Sequence, residues 1–117
     1  MSAVAKLSPV AKRLETITTK VGVNDREMAQ IFSTSPQTIY RWRRSQAEPQ
    51  PQHLRRILDL AFLAEELSEL YSPEEAHVWL FSRHRLLGGK AAVEVIASGD
   101  VDPVLALIAQ LKDGAYI

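Results

Sequence analysis

An all-α fold is the expectation for this chain, on three observations. Apolar side chains recur at three- and four-residue intervals, helix-start signals precede most of those runs, and no stretch keeps the alternation that a half-buried strand needs. At 117 residues the chain suits one domain, or two small helical halves sharing a core. Without cysteine, thiolate zinc sites, iron–sulfur clusters and a thiol nucleophile are excluded, and no staple is needed for folding. No apolar run reaches the ~18 residues of a membrane span, and Met1-Ser2-Ala3-Val4-Ala5-Lys6 lacks the order of a secretion signal. A soluble, cytoplasmic protein that makes no membrane contact is therefore expected.

Taken in order, Ser8-Pro9 opens a first helix in which Val10, Leu14, Ile17 and Val21 share one stripe, and Gly22 stops it. Asn24 with Glu27 forms a capping box for a short helix carrying Met28, Ala29, Ile31 and Phe32. Ser35 and Pro36 start a third helix that runs through Ile39 and Trp42 to Arg44. Glu48-Pro49-Gln50-Pro51 breaks the chain, because proline lacks an amide donor and moves its predecessor out of helical dihedrals.

From about Gln52 to Leu70 runs the longest predicted helix, where Ile57, Leu58, Leu60, Ala61, Phe62, Leu63 and Ala64 leave almost no polar face. Such a helix is expected to be buried all round, as a joint between the halves and as part of a homodimer interface. Ser72-Pro73-Glu74-Glu75 is a second capping box, opening a helix with Val78, Trp79, Leu80 and Phe81, of which Trp79 is expected in the core. Ser82 to Lys90 reads as a loop, Ala91 to Ala97 as a short helix stopped near Gly99. Asp102-Pro103 begins the last helix, with Val104, Leu105, Leu107, Ile108 and Leu111 inward, Lys112 near its negative end and Gly114 as a left-handed cap. The expected division is 1–51, a helix-turn-helix region; 52–71, a connecting and dimer helix; and 72–117, a C-terminal domain.

The net charge of zero conceals a segregation. Residues 1–60 carry ten basic and five acidic side chains, whereas 61–117 carry four basic and nine acidic ones. A basic half approaches phosphates at low electrostatic cost and an acidic half is repelled by them, so different partners are expected. In the basic half, two short capped helices joined at Ser33-Thr34 behind a first helix have the layout of a helix-turn-helix. Ile39 and Trp42 are expected inward. The DNA-facing candidates are Ser35, Gln37, Thr38, Tyr40, Arg41, Arg43 and Arg44, since glutamine pairs with adenine, arginine with guanine, and helix N-terminal amides suit a phosphate. Arg26, Arg55 and Arg56 are further candidates for phosphate contact.

Reactive chemistry is not indicated. His53, His77 and His84 lack the four-residue spacing of a helical metal site. Glu74 and Glu75 suit the positive end of a helix dipole better than a catalytic cluster. Leu87-Gly88-Gly89-Lys90 lacks the earlier glycine of a phosphate loop, and Ala91 replaces the hydroxyl that would hold magnesium. A non-enzyme without metal or cofactor is expected.

The run His77-Val78-Trp79-Leu80-Phe81-Ser82, then Arg85-Leu86-Leu87-Gly88-Gly89-Lys90, Gly99, Val104 to Ile108 and Gly114-Ala115-Tyr116 resembles the toxin-binding domain of Xre/MbcA/ParS-type antitoxins. The first half resembles the Xre-like helix-turn-helix that precedes that domain. The resemblance implies a type II antitoxin that inhibits a RES-domain toxin, an NAD-degrading enzyme, and represses its own operon by binding operator DNA. It assigns toxin docking to Arg83, Arg85 and the Leu86, Leu87, Gly88, Gly89, Lys90 loop, and obstruction of the toxin's substrate pocket to Gly114, Ala115, Tyr116 and Ile117. Two departures from the family pattern are Arg83-His84, where Pro-Asn is frequent, and Ala91-Ala92, where a proline often follows the glycine pair. The residues alone also admit a stand-alone transcription regulator or a protein adaptor that leaves DNA untouched.

Overall fold

The computed structural model describes residues 8–114, so Ala115, Tyr116 and Ile117 lie outside the described residues. Local capping signals fix most helix starts. In α1 (Pro9–Val21) the Ser8 hydroxyl accepts from the Ala11 amide at 3.0 Å, and the helix ends at Gly22 in the left-handed region, φ 65°. The capping box of α2 (Asp25–Ile31) is closed by Glu27 N donating to Asn24 Oδ1 at 2.8 Å and Asn24 N donating to Glu27 Oε1 at 3.0 Å. Ser35 caps α3 (Pro36–Arg43) by accepting from the Thr38 amide at 3.1 Å.

The long helix α4 spans Pro51–Ser68. It is not buried all round. Ile57, Leu60, Ala61, Leu63, Ala64 and Leu67 are covered, but Leu58 is 41% and Phe62 54% exposed. The reason is geometric: neighbours pack against one side of the helix, leaving Arg55, Leu58, Phe62, Glu65 and Glu69 along the opposite stripe at helical spacing.

A second capping box starts α5 (Pro73–Phe81), with Ser72 N donating to Glu75 Oε1 at 2.9 Å. Trp79 is half-buried and packs on the edge of the core. The segment expected as a plain loop contains a minimal antiparallel pair, β1 (Arg83–His84) with β2 (Lys90–Ala91), in register Arg83 to Ala91 and His84 to Lys90. A 3₁₀ turn, Arg85–Leu87, and two left-handed glycines, Gly88 and Gly89, join the strands. Strands of two residues are too short to show alternation in sequence.

The chain ends with α6 (Ala92–Ala97) and α7 (Asp102–Gly114). Gly114 is the last residue of α7 and is not left-handed, so the expected cap is absent at that position. Lys112 does more than meet the helix dipole, since its ammonium reaches Glu66 on α4 at 2.6 Å and Glu69, which caps that helix, at 2.9 Å. Those two carboxylates hold its pKa above the usual lysine value.

Among the described residues the buried side chains form one cluster to which all seven α-helices contribute, from Leu14 and Ile17 through Ile39, Leu60 and Leu80 to Ile96 and Ile108. The most extensive helix pairing is α1 against α4. Among the described residues no helix is long and apolar enough to cross a membrane.

Candidate functional site

Two surfaces carry the residues singled out by sequence. On α3, Ile39 and Trp42 point into the core, which turns Gln37, Tyr40, Arg41 and Arg44 outward. The Arg44 guanidinium lies over the Tyr40 ring, 5.4 Å from its centroid, so the two side chains stiffen each other at the helix end. Ser35 and Thr38 are half-buried, and their hydroxyls lie 3.0 Å apart across the helix start.

Arg43 is different from its neighbours. Its Nε donates to Asp25 Oδ1 at 2.8 Å and its Nη1 to Glu15 Oε1 at 3.3 Å, while Nη2 donates to the Thr18 hydroxyl. The side chain is 22% exposed and clamps α3 to α1 and α2, so Arg43, expected to face DNA, is engaged by carboxylates of its own chain. Arg56 is likewise turned inward: its Nη2 lies within 3.0 Å of where a side chain on Gly99 would begin, and its Nε is buried. Gly99, at φ 93°, is favoured by its left-handed backbone, and the guanidinium of Arg56 lies against it.

The second surface is the β1–β2 hairpin. Gly88 N donates to Arg85 O and Gly89 N to His84 O, each at 3.0 Å, which closes the turn on itself. His84 Nε2 donates to the Trp79 carbonyl at 2.8 Å, and the two rings lie 4.5 Å apart, fastening the hairpin to α5. Leu87, expected among the docking residues, is buried and anchors the hairpin in the core. Leu86 is 65% exposed and is flanked by the exposed Arg83, Arg85 and Lys90. Beyond Gly88 and Gly89 there is open space, leaving the tip accessible. Three of the four basic residues of the acidic half thus sit on this hairpin, a concentration hidden in the count by halves.

His77 joins the two regions. Its Nε2 donates to Glu27 Oε2 at 2.9 Å and its ring stacks on Phe81, 4.5 Å between centroids. Glu27 therefore caps α2 with one oxygen and holds α5 with the other. Among the described residues no group of His, Asp and Glu is arranged to hold a metal ion.

The chain is 32% identical over 98 residues to the mycobacterial cidal antitoxin MbcA of Mycobacterium tuberculosis and of Mycobacterium bovis, a match spanning 84% of this chain and 87% of theirs. The chain belongs to the MbcA antitoxin family. A second M. tuberculosis protein, a probable mycobacterial cidal antitoxin, is 28% identical over 97 residues, 82% of each chain. No family model matches the sequence. The crystal structure of the M. tuberculosis MbcT–MbcA toxin–antitoxin complex contains a chain that superposes with a TM-score of 0.83 at 29% identity, over 95% of this chain and all of that one. The all-α MbcA-like fold is thereby established, and of the readings left open by sequence the antitoxin stands.

In this MbcA-type fold Arg43 and Arg41, two residues apart, have opposite roles. Arg43→Ala should lower stability by about 1–2 kcal/mol, the scale of charge-assisted hydrogen bonds discounted for partial exposure. Arg41→Ala should leave it unchanged. Urea unfolding of both variants checks this, and equal midpoints would show that the Arg43 clamp contributes nothing.

Proposed function

We propose that this antitoxin binds and inhibits a RES-domain, NAD-degrading toxin and, as a homodimer in the cytoplasm, represses its own operon by contacting operator DNA through α3. The observation that carries the toxin part is the similarity to MbcA, which is found with MbcT in a toxin–antitoxin complex. The hairpin supports it. An apolar knob, Leu86, ringed by Arg83, Arg85 and Lys90 on a self-closed turn suits an apolar socket with an acidic rim on the toxin. Because the turn is already ordered by its own hydrogen bonds, little conformational entropy is lost on docking.

We read the C-terminal end, Gly114 to Ile117, as the segment that obstructs the toxin's substrate pocket, the role that the resemblance to Xre/MbcA/ParS-type antitoxins implies for it. Such an inhibitor acts by occupying space, so it needs no nucleophile, acid–base pair or metal of its own. No enzymatic role is proposed. The DNA part is supported by the outward Gln37, Tyr40, Arg41 and Arg44 on a helix whose start is capped by Ser35.

Co-expression with a RES-type toxin encoded beside this chain's gene should yield a stable complex that does not consume NAD. Removal of residues 114–117 should restore NAD consumption while the complex persists, whereas Leu86→Glu should loosen the complex itself by about tenfold or more. Full inhibition by the truncated chain would refute obstruction by the C-terminal end. For DNA, titration of operator fragments at several salt concentrations should give affinity that falls steeply with salt, and Arg41→Ala should reduce the logarithmic slope by about one. A slope unchanged by Arg41→Ala and Arg44→Ala would remove α3 from the DNA contact.

A further inference from the structure

The exposed stripe of α4 has a self-complementary order: a cation at Arg55, apolar side chains at Leu58 and Phe62, an anion at Glu65. These positions are symmetric about residue 60. We propose that this stripe is a two-fold interface between two copies of the chain, with the α4 helices antiparallel, Leu58 against Phe62 of the second copy and Arg55 against Glu65 of the second copy. The inference deepens the homodimer of the proposed function and rests on that reading.

The register follows from helix geometry. At about 1.5 Å rise per residue, Leu58 and Phe62 lie roughly 3 Å on either side of the midpoint, and Arg55 and Glu65 roughly 7.5 Å, so both pairings are met by one alignment. A parallel pairing is disfavoured because it sets Arg55 against Arg55 and Glu65 against Glu65. Among the described residues Arg55 has no ion-pair partner within its own chain.

The charges around the acidic end agree. Glu65 pairs with Lys20 at 3.6 Å, both side chains being about half exposed, and Lys112 bridges Glu66 and Glu69. The 3.6 Å Lys20 contact is long and engages one oxygen of Glu65, which leaves the other oxygen to receive Arg55 of the second copy, and the one-carboxylate surplus of the neighbouring Lys112 group keeps this end negative. At the other end Asp59 is half-buried, and burial pushes its pKa up against the opposing effect of Arg55. Covering Leu58 and Phe62 is the favourable term, since each exposes apolar surface that a monomer leaves in water. The contact is isologous, which is the arrangement a two-fold dimer demands, and it would present two copies of α3 to a pair of half-sites.

Sedimentation equilibrium of the full chain across a concentration series, without toxin or DNA, tests this. The parent should show a monomer–dimer equilibrium, and Phe62→Glu should weaken it by about tenfold or more. Arg55→Glu and Glu65→Arg should each weaken association, and the combined Arg55→Glu/Glu65→Arg chain should recover it. Far-UV circular dichroism should be unchanged in all of them, since these side chains are exposed. A parent that stays monomeric, or charge reversals that the combination fails to rescue, overturns the interface. So does a Phe62→Glu chain that keeps the parent's mass but loses the toxin, which would give the face to the toxin instead. A monomer that still bound operator DNA and toxin would remove this interface while leaving the rest of the proposed function intact.

Discussion

The packing of α1 against α4 is the contact on which the remaining structure leans. Leu14, Ile17 and Val21 on one helix and Ile57, Leu60, Ala61 and Ala64 on the other are all buried. Alanines at two of those α4 positions keep its covered face low, which favours close approach of a neighbouring helix. α3 packs on α1, α5 meets both α1 and α4, and α6 and α7 also reach α4. Breaking the chain at Glu48-Pro49-Gln50-Pro51 allows this return without interrupting either helix. The result is a single core with the candidate contact residues on its outside.

That arrangement sets out the candidate contact surfaces of this MbcA-type antitoxin. Each surface consists of a few exposed side chains held by a buried one: Trp42 beneath Gln37, Arg41 and Arg44, and Leu87 beneath Leu86, Arg85 and Lys90. Polar clamps then set the position of each element relative to the core. Arg43 ties α3 to Asp25 and Glu15, His77 ties α5 to Glu27, and Lys112 ties α7 to Glu66 and Glu69. These pairs are partly exposed, so their role is more to fix geometry than to supply much stability.

What could be read from the sequence was local. Caps formed by Ser8, Asn24, Ser35 and Ser72 depend on residues three positions away, and they mark helix starts that the structure reproduces. The inward pair Ile39 and Trp42 was legible for the same reason. Arg43 was not, because Arg41, Arg43 and Arg44 look alike in sequence, and the carboxylates that claim Arg43 lie 18 and 28 residues away. Nor could composition show which face of α4 its neighbours would leave open, so Leu58 and Phe62 were expected inside. In the pair Leu86-Leu87 the two side chains have the same chemistry, and only the 3₁₀ turn decides which is the knob and which the anchor. The cationic character of the hairpin was hidden because charge was counted over a whole half.

The central physical claim is that one core holds both surfaces, and the chain carries a reporter on each side of it: Trp42 in α3 and Trp79 in α5. Equilibrium urea unfolding followed by tryptophan fluorescence in Trp42→Phe and in Trp79→Phe, each referred to its own circular dichroism transition, measures this directly. Within each variant the fluorescence and circular dichroism transitions should coincide, as a cooperative two-state unit requires. A fluorescence transition displaced from the circular dichroism transition, with the Trp42 side and the Trp79 side melting at different urea concentrations, would mean two separately stable halves and would contradict the account.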